Sequence, residues 1–510
     1  MSMPGPDDPL DLLIVGAGFS GLALAIRAER AGLRNFLILE KAGAVGGTWR
    51  DNTYPGAASD IPSHLYALSF APKADWSRLY PRQPEIAAYL EGLVAAHGLG
   101  DRLRLSTPVG ACRWDEAAGR WRVETPHGTL TARALVLAVG GLHEPALPAL
   151  PGLDRFAGAA FHSARWDHGV PLDGKRVGVI GTGASAVQFV PEIADRVGHL
   201  VLFQRSAPWI LPRWDRALAG WERALYARLP ILRRLYRLAL YGRQEAPALL
   251  GFTRLSRLTA LAETLGRRHL QRAVSDARLR AKLTPDFRLG CKRVLLSDDY
   301  YPALARSGAL VVQAPIREVR PGGVLAADDV EHQLDVLILA TGFEVAGSVA
   351  RIAVTGRGGR SLTEAWSGGR DAFQGLAVHG FPNLFLLLGP NTGLAHNSVL
   401  LMMEAQLDHV LGALRHLRRH PRAALDVRPD AQARFRQAVD ARMRDSIWLR
   451  GGCGSWYLDA AGRNRALWPG TVGAYRRAAA RLRLRDYDTR PQASQAPAPA
   501  ETNGADRSAS

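Results

Sequence analysis

Cysteine is almost absent from this sequence. The three present, Cys112, Cys291 and Cys453, lie far apart, with no C-x-x-C pair and no zinc-ligand spacing. Neither a disulfide framework, a metal site nor a dithiol redox centre is expected from them. Long apolar runs are missing too, since no stretch approaches the ~20 residues that a membrane span needs. Met1 to Leu10 carry proline and aspartate where a secretory signal would be basic and then apolar, so the expected compartment is a reducing, cytoplasmic one. Acidic residues are in deficit, with 47 Asp and Glu against 65 Lys and Arg and a formal net charge of +18. That balance invites a nucleic-acid partner. The basic residues are mostly arginines spread along the chain, however, with neither an aromatic RNP pattern nor finger spacing, which argues against one. Attraction for an anionic small molecule is the better use of the charge. What remains is ample: 510 residues, 47% of them hydrophobic, enough for two or three domains with large cores.

Leu10 to Gly16 is a short apolar run closing on glycine, followed by helical spacing over Ala17 to Ala31 and a second run, Phe36 to Glu40. The unit reads strand, helix, strand. A second copy begins at Arg176, with Val177 to Gly181, a helix from Ala184 to Arg196 and the run Leu200 to Phe203. Two such units predict an α/β fold with two Rossmann-like dinucleotide-binding domains. Ala134 to Gly140 and Leu334 to Gly342 look like further buried parallel strands and are expected in the first sheet. From Trp214 to Arg288 the strand signals give way to arginine-rich amphipathic helix, an inserted element whose apolar stripe is expected to pack on the core rather than on a membrane surface. The expected boundaries are 1–145 with 325–488 for the first domain, 146–213 with 290–324 for the second, 214–289 for the insertion and 489–510 for a disordered tail rich in Pro, Ala and Ser.

The first unit carries Gly16-Ala-Gly18-Phe-Ser20-Gly21, a G-x-G-x-x-G turn in which glycines allow a pyrophosphate to approach the helix N-terminus. Glu40 ends its second strand, where a carboxylate accepts hydrogen bonds from ribose hydroxyls. The second unit carries Gly181-Thr182-Gly183-Ala-Ser185-Ala186, and at the offset that Glu40 has in the first stands Arg205, followed by Ser206. A carboxylate there would repel a 2′-phosphate, whereas a guanidinium binds one. The pair of endings points to FAD in the first sheet and NADP in the second.

Two longer patterns carry a family resemblance. Phe156, Gly158, His162, Trp166 and Asp167 fill every defined position of F-x-G-x-x-x-H-x-x-x-W-[PD]. Gly46, Gly47, Trp49, Tyr54, Pro55, Gly56 and Asp60 fill G-G-x-W-x(4)-[FY]-P-[GM]-x(3)-D. Both resemble the fingerprints of type I Baeyer–Villiger monooxygenases, as do Cys291-Lys292-Arg293, Gly389-Pro-Asn-Thr-Gly393 and Ser455-Trp456-Tyr457. The resemblance runs from Leu10 to Tyr487 and implies an enzyme that uses FAD, NADPH and O2 to convert a ketone to an ester or lactone. It implies that Arg293 is the fixed cation beside an anionic flavin peroxide, and that Asp60 orients it. It extends the cofactor-binding set to Gly47, Thr48, Trp49, Asp51, Asp60, Tyr66, Gln188, Lys292 as second contact to the 2′-phosphate, and Trp456 beside the nicotinamide ribose. His162 and Trp166 are read as structural residues of the link between domains, and His396 as packing. The loop after Trp456, Asp459-Ala-Ala-Gly-Arg-Asn-Arg, departs from the glycine-rich loop of phenylacetone-oxidising members and puts its substrate contacts in doubt. Related flavin enzymes that hydroxylate nitrogen or sulfur are the alternative, and a non-catalytic nucleotide-binding module is a second. Nothing in the sequence names the ketone or the oligomeric state.

Overall fold

The computed structural model describes residues 9–249, 257–345, 349 and 351–489. All of the expected tail except Thr489 lies outside them. Two separate sheets carry the two glycine turns. In the first, Leu10–Val15 sits centrally, parallel to Phe36–Leu39 on one side and to Gly128–Leu137 on the other. Leu10–Val15 and Phe36–Leu39 are near-continuous apolar runs because both faces are covered. The sheet continues through the antiparallel strands Arg120–Thr125 and Ala111–Asp115, and Leu384–Leu386 pairs in parallel with the end of Gly128–Leu137. The helix Phe19–Arg30 and the long helix Val399–Arg419 bury Leu22, Ile26, Met403 and Leu407 in its core.

The second sheet is wholly parallel, in the order Leu310–Val312, His199–Phe203, Arg176–Ile180, Val336–Leu339, Ala159–His162. This corrects one expectation. Leu334 to Gly342 does not join the first sheet: Val336–Leu339 lies between Arg176–Ile180 and Ala159–His162 in the second. An apolar run covered on both faces has no pattern that names its neighbours, and the choice is made by side chains such as Ile338, which packs against Val177 and Val179 in the second core.

Between Trp214 and Arg288 the described residues form the helices Gly220–Arg228, Pro230–Leu249, Arg257–Ala273 and Ala277–Lys282. This insertion leaves the second domain after Ile210–Leu211 and returns at Leu295–Leu296, and those two short strands pair in parallel. The pairing therefore brings Arg205–Trp209 alongside Lys292–Arg293.

A second correction concerns cysteine. Cys291 and Cys453, separated by 162 residues, form a disulfide. Distance along the chain is silent on what folding brings together, and here the two loops meet backbone to backbone, Arg288 N–H donating to the Gly451 carbonyl at 3.1 Å. A side chain at Gly451 would collide with Cys291. Cys112 is free and buried.

Candidate active site

Each glycine turn is built where only glycine fits. Gly16 has φ +104°, and a Cβ there would lie 2.6 Å from the Ala138 carbonyl oxygen; one on Gly21 would lie 1.8 Å from the oxygen of Gly16. Gly181 repeats the first arrangement, with φ +107° and a Cβ position 2.4 Å from the Ala340 oxygen. Gly18 and Gly183 sit at the starts of the helices Phe19–Arg30 and Ala184–Ile193, which leaves unpaired N–H groups at each turn. Facing Gly18 is a second glycine turn, Gly46-Gly47, from which the short helix Thr48–Asp51 departs. The two turns pass close enough that a Cβ on Gly47 would lie 3.4 Å from the Gly18 Cα. Ser20 is buried behind them. Both cradles fit a dinucleotide pyrophosphate.

At the end of the second strand Glu40 is buried, and its carboxylate accepts from the backbone N–H of Ala17 at 2.8 Å and of Ala42 at 3.0 Å, with Arg50 Nη1 at 3.1 Å. Arg50 also binds Asp51, through Nε at 2.8 Å. Trp49 donates its indole N–H to the Tyr66 hydroxyl at 3.0 Å, and burial pushes Tyr66 up to about 12. In the second domain Thr182 donates to the Ser206 carbonyl at 3.3 Å. Lys292 Nζ is 2.6 Å from the Ser206 hydroxyl, and its ammonium is held below its usual range by burial and then by the charge of Arg205. Two cations crowd one edge of the sheet there, and an anion between them would relieve the repulsion. That edge fits a 2′-phosphate.

Arg293, the next residue, turns the other way. Its guanidinium donates to Asp60 Oδ2 through Nε, at 3.1 Å, and through Nη2. Burial opposes the charge on Asp60, but Arg293, with Arg213 behind it, outweighs burial and holds the carboxyl below 3.8. The charge of Asp60 in turn raises Arg293 well above the ordinary arginine range. Tyr457 is buried, its phenol is pushed up to about 12, and Arg293 is the largest charge acting on it. Asp60 belongs to the segment that began at the Gly46-Gly47 turn, and the second domain straps it down. Gln188, on the helix Ala184–Ile193, donates to the Ala58 carbonyl at 2.9 Å and accepts from the Tyr54 hydroxyl at 3.0 Å. Gly56, with φ +75°, passes so close that a Cβ would lie 2.5 Å from the Gln188 carbonyl oxygen.

The residues expected at the two cradles are thus brought together, with Asp60 and Arg293 in the seam between them and Lys292 at the edge of the second. Ser185 sits on the first turn of the second helix, beside Tyr54. Trp456 is the least engaged: its ring is 56% exposed, neither core nor part of the Arg293 cluster, and rests 4.5 Å from that of Tyr457. His162 is buried, accepts from Ala164 N–H at 3.0 Å and is pushed down to about 4 by burial, which makes it a structural neutral imidazole. His396 lies 3.8 Å from the buried Glu245 of the insertion. Arg213 is not marked in the sequence, and neither is the role of Tyr54. Arg213 donates to the Ser59 carbonyl at 2.8 Å and lies 5.0 Å over the Tyr80 ring; in so arginine-rich a chain nothing marks it. Tyr54 stood in the fingerprint, but only the fold shows that it spans the seam.

Comparison with known proteins places the chain in a family. Residues 13–218 match the family described as pyridine nucleotide-disulphide oxidoreductase; both paired cysteines fall outside that range. A Baeyer–Villiger monooxygenase of Streptomyces coelicolor is 47% identical over 93% of this chain and 91% of its own length. One from Pseudomonas aeruginosa is 45% identical over 91% and 88%. Among solved structures, OTEMO in complex with FAD and NADP superposes with a TM-score of 0.85 at 28% identity, covering 94% of this chain and 99% of that one. A cyclohexanone monooxygenase bound to ε-caprolactone gives 0.81 at 28%, over 94% and 100%. The chain belongs to the Baeyer–Villiger monooxygenase family.

Proposed function

We propose that this protein is an FAD-containing, NADPH- and oxygen-dependent monooxygenase that inserts an oxygen atom beside a ketone carbonyl, giving an ester or lactone. The observation that carries the proposal is the half-buried Arg293–Asp60 pair, set in the seam between two dinucleotide cradles. FAD, once reduced by NADPH, supplies the activation of O2. The protein's part is to bind, orient and hold charge. Gly16, Gly18, Gly21 and Gly47 admit the FAD pyrophosphate, with Ser20, Thr48, Trp49, Asp51 and Tyr66 around it and Glu40 toward its ribose. Gly181, Thr182, Gly183, Ser185 and Gln188 form the NADP cradle, and Arg205, Ser206 and Lys292 take the 2′-phosphate. Trp456, exposed on the same turn as Tyr457, is available to the coenzyme.

Arg293 keeps its proton at any working pH. With FAD and a ketone bound, it would stabilise negative charge that develops on oxygen beside it. Asp60 and Arg213 aim it. Attack on nitrogen or sulfur needs no such anion, so the cation favours the ketone. We place the domains close to the boundaries expected from the sequence, moving residues 325–342 to the NADP domain, since Ile316–Arg320, Gly323–Ala326 and Glu331–Gln333 form one antiparallel sheet over the second sheet. An NADPH requirement supports a cytoplasmic location, while the Cys291–Cys453 disulfide is typical of an oxidising compartment, and subcellular fractionation decides between them. The deciding experiment offers a cyclic ketone and a thioether at equal concentration and measures ester, sulfoxide and NADPH consumed. Ester as the main product is expected; sulfoxide alone would overturn the proposal.

A further inference from the structure

The inserted helices carry a surface that the oxygenation chemistry does not use. The inner face of Pro230–Leu249 is committed: Leu240 packs on Ile61 and Leu65, Tyr226 and Tyr236 stack at 5.2 Å beside His64, and Arg237 donates inward to the carbonyls of His64 and Ala67. The outer face is apolar and bare. Ile231, Leu235 and Leu238, at i, i+4 and i+7 on one stripe, are 59%, 54% and 62% exposed. Trp221, on the preceding helix, is 70% exposed, and Leu229 in the turn between is exposed as well. Single exposed leucines are ordinary; a stripe of them joined by a tryptophan is not.

The charges the hairpin itself presents around the stripe are of one sign, with the exposed carboxylate of Asp75 near Arg223 and paired with Lys73. From Gly220 to Leu249 there are six arginines and two carboxylates, Glu222 and Glu245. Both carboxylates are buried and consumed, Glu222 by Arg216 and the Ala219 N–H, Glu245 by Asn397 and the Val472 N–H. Arg223, Arg228 and Arg234 are exposed and stand outside every salt bridge among the described residues.

We infer that this hairpin seats the enzyme on an anionic lipid surface. Apolar side chains with tryptophan enter the acyl boundary, and flanking arginines reach anionic headgroups while their stems stay apolar. A second copy is a poorer occupant, because a two-fold contact through this face would set Arg223, Arg228 and Arg234 against the same charges. The inference concerns peripheral attachment only; among the described residues no helix is long and apolar enough to cross a membrane.

Flotation of the purified holoenzyme with vesicles tests it, one set pure phosphatidylcholine, the other equal parts phosphatidylcholine and phosphatidylglycerol. Binding to the second set and not the first is expected, weakening about fivefold for each of Arg223, Arg228 and Arg234 changed to glutamine. Leu235→Glu with Leu238→Glu should abolish flotation while bound flavin and the elution volume stay those of the parent. These side chains face solvent, and Trp221→Phe is a milder second variant. In the parent, brominated acyl chains should quench a component of tryptophan emission that Trp221→Phe lacks. No flotation with phosphatidylglycerol overturns the inference. So does flotation that survives the leucine substitutions, which would leave only diffuse charge, and so does a dimer that those substitutions dissolve, which would assign the face to a second copy.

Discussion

Three consecutive residues, Cys291, Lys292 and Arg293, serve three different partners: a sulfur across the fold, a hydroxyl at the coenzyme edge and a carboxylate in the seam. The two cations can be separated by experiment. Arg205→Ala, acting with Lys292 at the phosphate edge, should raise the NADPH KM and leave the NADH KM unchanged, since one coenzyme carries the extra phosphate. Equal weakening of both would remove Arg205 from that contact. Arg293→Ala should still bind FAD and oxidise NADPH, yet form ester ~10² to 10³ more slowly, the usual loss for a stabiliser of developing charge. Arg293→Lys should recover little, because an ammonium lacks the fork that reaches Asp60 and the reacting oxygen together. Stopped-flow absorbance follows the two half-reactions apart, and ester formed at the parent rate would exclude Arg293. The folded pKa of Asp60 lies below its ordinary 3.8, so the pair contributes stability that is present above that pH and lost as pH falls through the folded value.

At the scale of elements, the decisive contact is the strap of Tyr54 to Asp60 across the helix Ala184–Ile193. Gln188→Leu keeps volume but removes three hydrogen bonds, one to the Tyr54 hydroxyl and two to the Ala58 backbone. It should slow ester formation without altering the preference for NADPH over NADH, because Gln188 stands apart from the Arg205–Lys292 edge. Stopped-flow and coenzyme titration resolve that split; an altered preference would place Gln188 at the 2′-phosphate. Both βαβ units were legible in the sequence because glycine turns and the change of period from strand to helix are local properties. Which sheet takes Val336–Leu339 was not legible, since all four side chains are buried and alternation is absent. The Arg293–Asp60 pair came from a pattern of residues, while Arg213 had neither period nor motif to show it.

On the whole molecule, burial leaves three histidines neutral. His64, His162 and His409 are each pushed from 6.5 down to about 4. The unfolded chain therefore binds more protons than the folded one between those values, and stability present above pH 6.5 should fall progressively toward pH 4. A Tm that stays flat across that interval would contradict the burial of these rings. The remaining consequence belongs to the covalent graph of the chain. Because Cys291 and Cys453 are joined, every peptide bond between them lies in a closed ring, which on the chain-entropy view restricts the unfolded state by roughly 5 kcal/mol. A single cut inside that ring leaves one molecule, and a single cut outside it leaves two. Limited proteolysis should thus give fragments from the interval 291–453 that run as intact protein on a denaturing gel until a thiol reductant is added, then fall into two bands.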